Sequence, residues 1–280
     1  MDYLQAIILG IIEGVSEFLP ISSTGHLILS AKILNIPEST FLKTFEISIQ
    51  LGAILSVVVL YWRKLLINFK IFKRICLAFI PTGIFGLLFY KIIKTYLLGN
   101  EMAVVVSLFI GGLFLIIFEW WNEKKNEQII STHSLKNGDE NIRMVNRTFK
   151  RPDDELEKIS YKKSFLIGIF QSIAMIPGVS RSAATIIGGL IVGIPRKTIV
   201  EFSFLLAVPT MAAATGLDLI KNVGHFSGNQ FGILSVGFIV SFFVALVSIR
   251  WLLKFIKKHS FVSFGIYRII IAIIFYFLIF

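Results

Sequence analysis

The chain holds 280 residues, 55% of them apolar and 27 of them Phe, with a mean hydropathy of +0.80. That is far above what a water-soluble fold of this length needs for its core, and it points to an all-α polytopic membrane protein. The formal charge of +11 (28 basic against 17 acidic residues) would suggest nucleic acid in a soluble protein; in a membrane chain the placement of Lys and Arg carries the information, and no nucleic-acid partner is expected. A single cysteine, Cys76, excludes an internal disulfide and a cysteine-built metal cage.

The amino terminus opens on Asp2 in place of a basic stretch, and no small-residue cleavage site follows its apolar run, so the start reads as mature sequence and not as a signal peptide. Residues 3–33 are apolar but broken in the middle, at Pro20 followed by ISSTG. Three windows of about the length that spans a hydrocarbon core of ~30 Å come next, at Leu42 to Trp62, Ile75 to Phe89 and Met102 to Phe118. The run from Glu119 to Lys163, with ten basic and nine acidic residues, reads as a mobile polar linker. Residues 164–193 form a second apolar stretch broken at Pro177-Gly178 followed by VSRS, and three more windows complete the chain, at Glu201 to Ile220, Phe231 to Leu252 and Phe261 to Phe280.

Basic residues sort the loops. YWRKLLINFKIFKRI (61–75) holds five and RWLLKFIKKH (250–259) four, without an acid, so both belong on the cytoplasmic side. The loops at 91–101 and 218–230 are poorer in Lys and Arg and belong outside. With both termini outside, the count closes only if 3–33 and 164–193 each enter and leave on one side, as re-entrant hairpins. Proline removes a backbone donor and biases the preceding residue away from helix, so helices should stop near Leu19 and Ile176. LGIIEGVSEFLPISSTGH lies over IGIFQSIAMIPGVSRSA with a one-residue slip, and the match runs on into KTFEISIQLG and VEFSFLLAVP. The expected architecture is one membrane domain over 1–280, an inverted-topology repeat of two broken hairpins and six full crossings, with repeat 1 at about 3–118, the linker at 119–163 and repeat 2 at 164–280.

Non-helical backbone at membrane depth survives only in protein or beside a wet cavity, so the two breaks should line a pocket. Each is followed by a new half-helix, with Ser22 or Ser23 and Ser180 as natural N-caps, whose first amides and positive dipole end suit an anion. Arg181, next to the second break, offers a planar fork of donors for phosphate oxygens; the competing reading is snorkelling to a surface. Glu13 and Glu17, four apart on one helix face, are able to hold a divalent cation such as Mg2+ or Ca2+, or one of them acts as a base. Ser23 and His26, three apart, bring a hydroxyl and an imidazole within reach of one another. Ser22 and Thr24 are further phosphate ligands, with Gln50 secondary. Asp218 reads as a boundary residue, Glu46 and Glu201 as first-turn acids. His133, His225 and His259 fall in loops or at helix ends and receive no chemistry.

EGVSEFLPISSTGH and PGVSRSAATIIGG together resemble the two signature segments of the undecaprenyl-diphosphatase family, first named as bacitracin-resistance proteins. The resemblance runs from Ala6 to the carboxyl end, through EFSFLLAVP and IYRIIIA; the stretch from Glu119 to Ser160 is longer than the family pattern. It implies hydrolysis of undecaprenyl diphosphate to undecaprenyl phosphate and inorganic phosphate at the outer side of the bacterial inner or plasma membrane, assisted by a divalent cation, with Glu13, Glu17, Ser23, His26 and Arg181 at the active site. The expected partners are the polyprenyl diphosphate and membrane lipid, with small-residue faces such as FIGGLF and IIGGLIVG permitting a homo-oligomer. The rival function is transport, the movement of a lipid phosphate or another anion by a transporter or flippase, because inverted repeats with broken helices are transporter architecture.

Overall fold

A computed structural model describes residues 1–92, 100–136, 152–222 and 228–280, and among these the regular structure is all helical. The elements are α1 (Tyr3–Ser16), α2 (Ser23–Ile33), α3 (Thr40–Trp62) with a π-helical turn at Arg63–Ile67, α4 (Phe69–Ile92) and α5 (Glu101–Lys136). A short α6 (Pro152–Glu157) follows, then α7 (Tyr161–Ser172), α8 (Arg181–Ile191), α9 (Arg196–Asn222), α10 (Gly228–Phe255) and α11 (Val262–Ile279). The six helices α3, α4, α5, α9, α10 and α11 are long and apolar enough to cross a membrane. At about 1.5 Å per residue the 14-residue α1 reaches only about 21 Å, so the short pairs α1–α2 and α7–α8 cannot each supply two crossings. The chain is a multi-pass membrane protein.

Each half therefore has the same order: two short helices about a break, then three long ones. The packing is exchanged between halves. α1 lies along α10 and α7 along α4, while α3 meets α9 and α10, and α5 pairs with α11. Glycine permits the close approaches. A Cβ at Gly14 would stand 2.7 Å from the Ser241 carbonyl of α10, and one at Gly168 of α7 would run into the Ala78 carbonyl of α4. With lipid as solvent, this close van der Waals packing is a main source of helix association.

Local sequence explains the ends. Asp2 caps α1 by accepting from Gln5 N at 2.8 Å while Gln5 Oε1 accepts from Asp2 N at 2.9 Å, a capping box that accounts for the acidic start. α1 stops at Ser16, three residues before the expected Leu19, because Pro20 removes a donor and its predecessors are already turning. α7 stops at Ser172 and passes through a 3₁₀ turn to Ile176, which sits extended (ψ 120°) before Pro177 as a pre-proline residue should. α5 does not end at Phe118 but continues helically to Lys136, because EWWNEKKNEQ is rich in strong helix formers. Glu46 and Glu201 lie in the second turns of α3 and α9, and Glu201 accepts Lys64 at 3.0 Å across the helix interface.

Candidate active site

The two breaks meet. Pro20 cannot donate a backbone N–H, and the Leu19 carbonyl before it accepts the Ser182 hydroxyl of α8 at 2.7 Å. Ser180 caps α8, its Oγ accepting from Ala183 N at 3.2 Å and lying 2.9 Å from Ser182 Oγ. Gly178 holds φ +88°, where a side chain would be strained, and a Cβ there would stand 2.6 Å from the Val104 carbonyl of α5. The second turn is thus threaded against α5 by a residue only glycine can supply.

In the first hairpin, Glu17 is the C-cap of α1, still in helical geometry, so it shares a face with Glu13 as the spacing requires. Ser22 takes φ 72°, an unusual conformation for a side-chain-bearing residue. Its position is that of an N-cap, yet its hydroxyl makes no capping bond, which corrects the expectation from sequence: with ψ at 92° this backbone is not the extended one from which a serine reaches the first-turn amides.

Glu17 is 5% exposed and joins the hairpins. Ser23 Oγ donates to its Oε2 at 2.6 Å, and Arg181 Nη2 donates to its Oε1 at 3.0 Å. Arg181 faces inward: its Nη1 donates to the Ser203 carbonyl of α9 at 2.7 Å, and its Nε is buried without a partner. Snorkelling is excluded. Thr185 and Ser203, whose hydroxyls lie 2.5 Å apart, brace this side of the cluster. Glu13, fully buried, leaves both carboxylate oxygens unpartnered one turn from Glu17. An ionised carboxylate without partners in such a place is costly, so this one is built to meet a positive or proton-bearing group.

Ser23 and His26 do not form a pair. His26 Nδ1 lies 2.8 Å from the Ser22 carbonyl, which only accepts, so Nδ1 carries the proton; Nε2 lies 2.9 Å from the Tyr267 hydroxyl, with the two rings stacked at 5°. That carbonyl also accepts His26 N at 3.3 Å at the start of α2, and Ser23 Oγ is turned to Glu17 instead, so the i,i+3 spacing does not deliver a Ser–His contact. Thr24 is exposed on the first turn of α2 and stands outside the network, as does the half-buried Gln50. His259 packs on Phe255 away from the breaks. His225 lies outside the described residues, as do the side chains of His133 and Asp218.

Two residues of α11 reach the site without being singled out from sequence, Tyr267 at His26 and Arg268 at both breaks. Arg268 is 1% exposed within an apolar helix. A basic residue amid IYRIIIA was the available signal, because an intramembrane charge is functional by default.

No cluster of three or more His, Cys, Asp or Glu suited to a metal exists among the described residues. The oxygen donors of Glu13 and Glu17 fit a hard divalent ion such as Mg2+ that completes its shell from substrate phosphates and water, and the orphaned oxygens of Glu13 are where it would be held.

A family model described as bacitracin resistance protein BacA matches residues 6–274. The undecaprenyl-diphosphatase of Aquifex aeolicus (strain VF5) is 52% identical over 275 residues, covering 98% of each chain. That of Sulfurihydrogenibium sp. (strain YO3AOP1) is 50% identical over 276 residues, 99% of each. That of Methanococcus aeolicus is 44% identical over 275 residues, 98% of this chain and 97% of its own.

Proposed function

The chain belongs to the BacA family of bacitracin resistance proteins, and from that premise we propose that it hydrolyses undecaprenyl diphosphate to undecaprenyl phosphate and inorganic phosphate, recycling the carrier lipid of cell-wall synthesis. The observation that carries the reading at atomic level is the chain Ser23–Glu17–Arg181, in which a nucleophile, a base and a phosphate-binding cation from two hairpins meet within hydrogen-bond distance.

The terminal phosphate sits between the starts of α2 and α8. The first-turn amides of a helix have no carbonyl behind them and carry its positive dipole end, so two such ends and the free Nε of Arg181 face the phosphate oxygens. Phosphoryl transfer passes through a loose, charge-spread transition state, and fixed donors of this kind supply most of what it needs. Ser23 Oγ attacks the terminal phosphorus as its proton passes to Glu17; the bridging P–O bond breaks, and undecaprenyl phosphate departs with the bond's electron pair and takes that proton from Glu17, which is left ionised. Water, deprotonated by Glu17, then attacks the phosphoserine, releasing phosphate and returning the proton to Ser23. Direct attack by a water held at Glu17 uses the same residues, and capture of phosphorylated Ser23 separates the two. A divalent cation bound at Glu13 and Glu17 would neutralise phosphate charge.

The prenyl chain leaves the headgroup along apolar surface. A groove of about 290 Å³ between α5 and α11, walled by Met102, Val105, Phe109, Ala272, Ile273 and Phe277, borders the cluster in which Phe275 meets the His26 ring. The basic loops 61–75 and 250–259 favour a site open to the outer face of the plasma membrane.

Phosphate release from the lipid diphosphate by purified protein in detergent, where no gradient exists, tests the reading. Release abolished by Arg181→Ala is the expected result. Counterflow of substrate in vesicles without phosphate release would identify a carrier and overturn it.

A further inference from the structure

Among the described residues, Arg268 is one of the largest fully buried side chains and has no carboxylate partner. Among the described residues its guanidinium is held by backbone carbonyls alone: Nη1 donates to Pro20 O at 3.3 Å, Nη2 to Gly178 O at 3.0 Å and Ser107 O at 3.1 Å, and Nε to Leu108 O at 3.3 Å. Pro20 belongs to the first break and Gly178 to the second. These are carbonyls that no helix satisfies, since each lies where the helical ladder is interrupted. One planar fork therefore closes both turns and fastens them to α5. The slot for it is cut from glycine: a Cβ at Gly111 would collide with the guanidinium, and one at Gly112 would stand 3.1 Å from Arg268 Cβ. The small-residue face FIGGLF is thereby used inside the subunit.

We infer that Arg268 is a positioning residue for phosphoryl transfer, fixing the two breaks in register so that Ser23 on one and Arg181 on the other address the same phosphate. A lysine would keep the charge but present three donors from one point, and cannot reproduce a fork that reaches four carbonyls on three segments. The inference also explains how a buried cation is tolerated without an acid. Carbonyl dipoles aimed at it replace hydration, and its charge is left for the anionic substrate to answer.

The inference rests on the phosphatase reading, and its test keeps the two apart by measuring phosphate release from undecaprenyl diphosphate for wild type and variants, per mole of monodisperse folded protein. No release by wild type would defeat the phosphatase reading. If wild type is active, Arg268→Gln should lower kcat ~100-fold, the scale of a 1 Å misplacement, while KM stays within about threefold. Arg268→Lys should recover less than about a tenth of the lost rate, because register and not charge alone is what Arg268 supplies. Should Arg268→Gln fail to fold, Gly111→Ala decides. It keeps the arginine but fills its slot, and kcat should fall ~10-fold at unchanged KM. Full rescue by Lys, or wild-type kcat in folded Arg268→Gln or Gly111→Ala, overturns the inference.

Discussion

Replacing Glu17 by Gln changes one atom at the side chain the two hairpins share. Arg181 only donates, so the amide oxygen must turn toward it, in place of the Oε1 that now accepts it at 3.0 Å. The amide NH2 is then left against Ser23 Oγ, where Oε2 now accepts at 2.6 Å. The serine hydroxyl becomes an acceptor, and its proton has no base to go to. General-base contributions run to 10²–10⁴-fold, so kcat for phosphate release should fall by about that factor, roughly 3–5.5 kcal/mol of barrier. Substrate binding should not suffer. Arg181 loses its counter-charge and meets the diphosphate un-neutralised, so KM should hold or drop. The fold should weaken modestly, because Arg181 keeps the Ser203 carbonyl at 2.7 Å and an amide oxygen replaces a carboxylate; a loss of about 1–3 kcal/mol would show as a lower thermal midpoint. Steady-state phosphate release with purified protein reads both constants. A variant with kcat within threefold of wild type, or with KM raised and kcat intact, would refute the assignment of Glu17 as the base.

Two further outcomes follow from the meeting of the breaks. Ser182→Ala removes the 2.7 Å donor to Leu19 O, a carbonyl that also accepts Ile21 N at 2.8 Å, so the loss should be about 0.5–1.5 kcal/mol, seen in thermal unfolding. Gly178→Ala meets both the positive φ and the Val104 carbonyl, and should cost about 1–3 kcal/mol or more while lowering phosphate release; wild-type stability in this variant would contradict the threading of that turn against α5.

The features legible from sequence were those in which a side chain contradicts its surroundings. Glu13 and Glu17 stand out in an apolar run, and Arg181 stands out beside Pro177-Gly178; the two glutamates proved to be buried at the joined breaks, with Arg181 partly buried and paired to Glu17. The six crossings were legible because hydropathy over about 20 residues is set by the bilayer itself. What escaped was whatever depends on backbone carbonyls, which every residue has and no residue type advertises. Spacing pairs His26 with Ser23, but the Ser22 carbonyl holds the imidazole, and Ser22 itself adopts a positive φ that glycine or asparagine would have signalled and serine does not. Arg268 escaped for the same reason: its partners are four carbonyls distant in sequence, and only the folded chain brings them to one guanidinium.

The exchanged packing of the halves bears on how the chain matures. α1 finds its main neighbour in α10, more than 200 residues later, and α7 finds its own in α4. A nascent chain that has emerged only through α5 therefore holds the Gly10–Gly14 groove without the α10 backbone that fills it in the folded protein. Assembly of the first hairpin must wait for the second half to be inserted, so severing the chain between the halves should leave two fragments that are protease-sensitive when expressed singly and become resistant only when co-expressed.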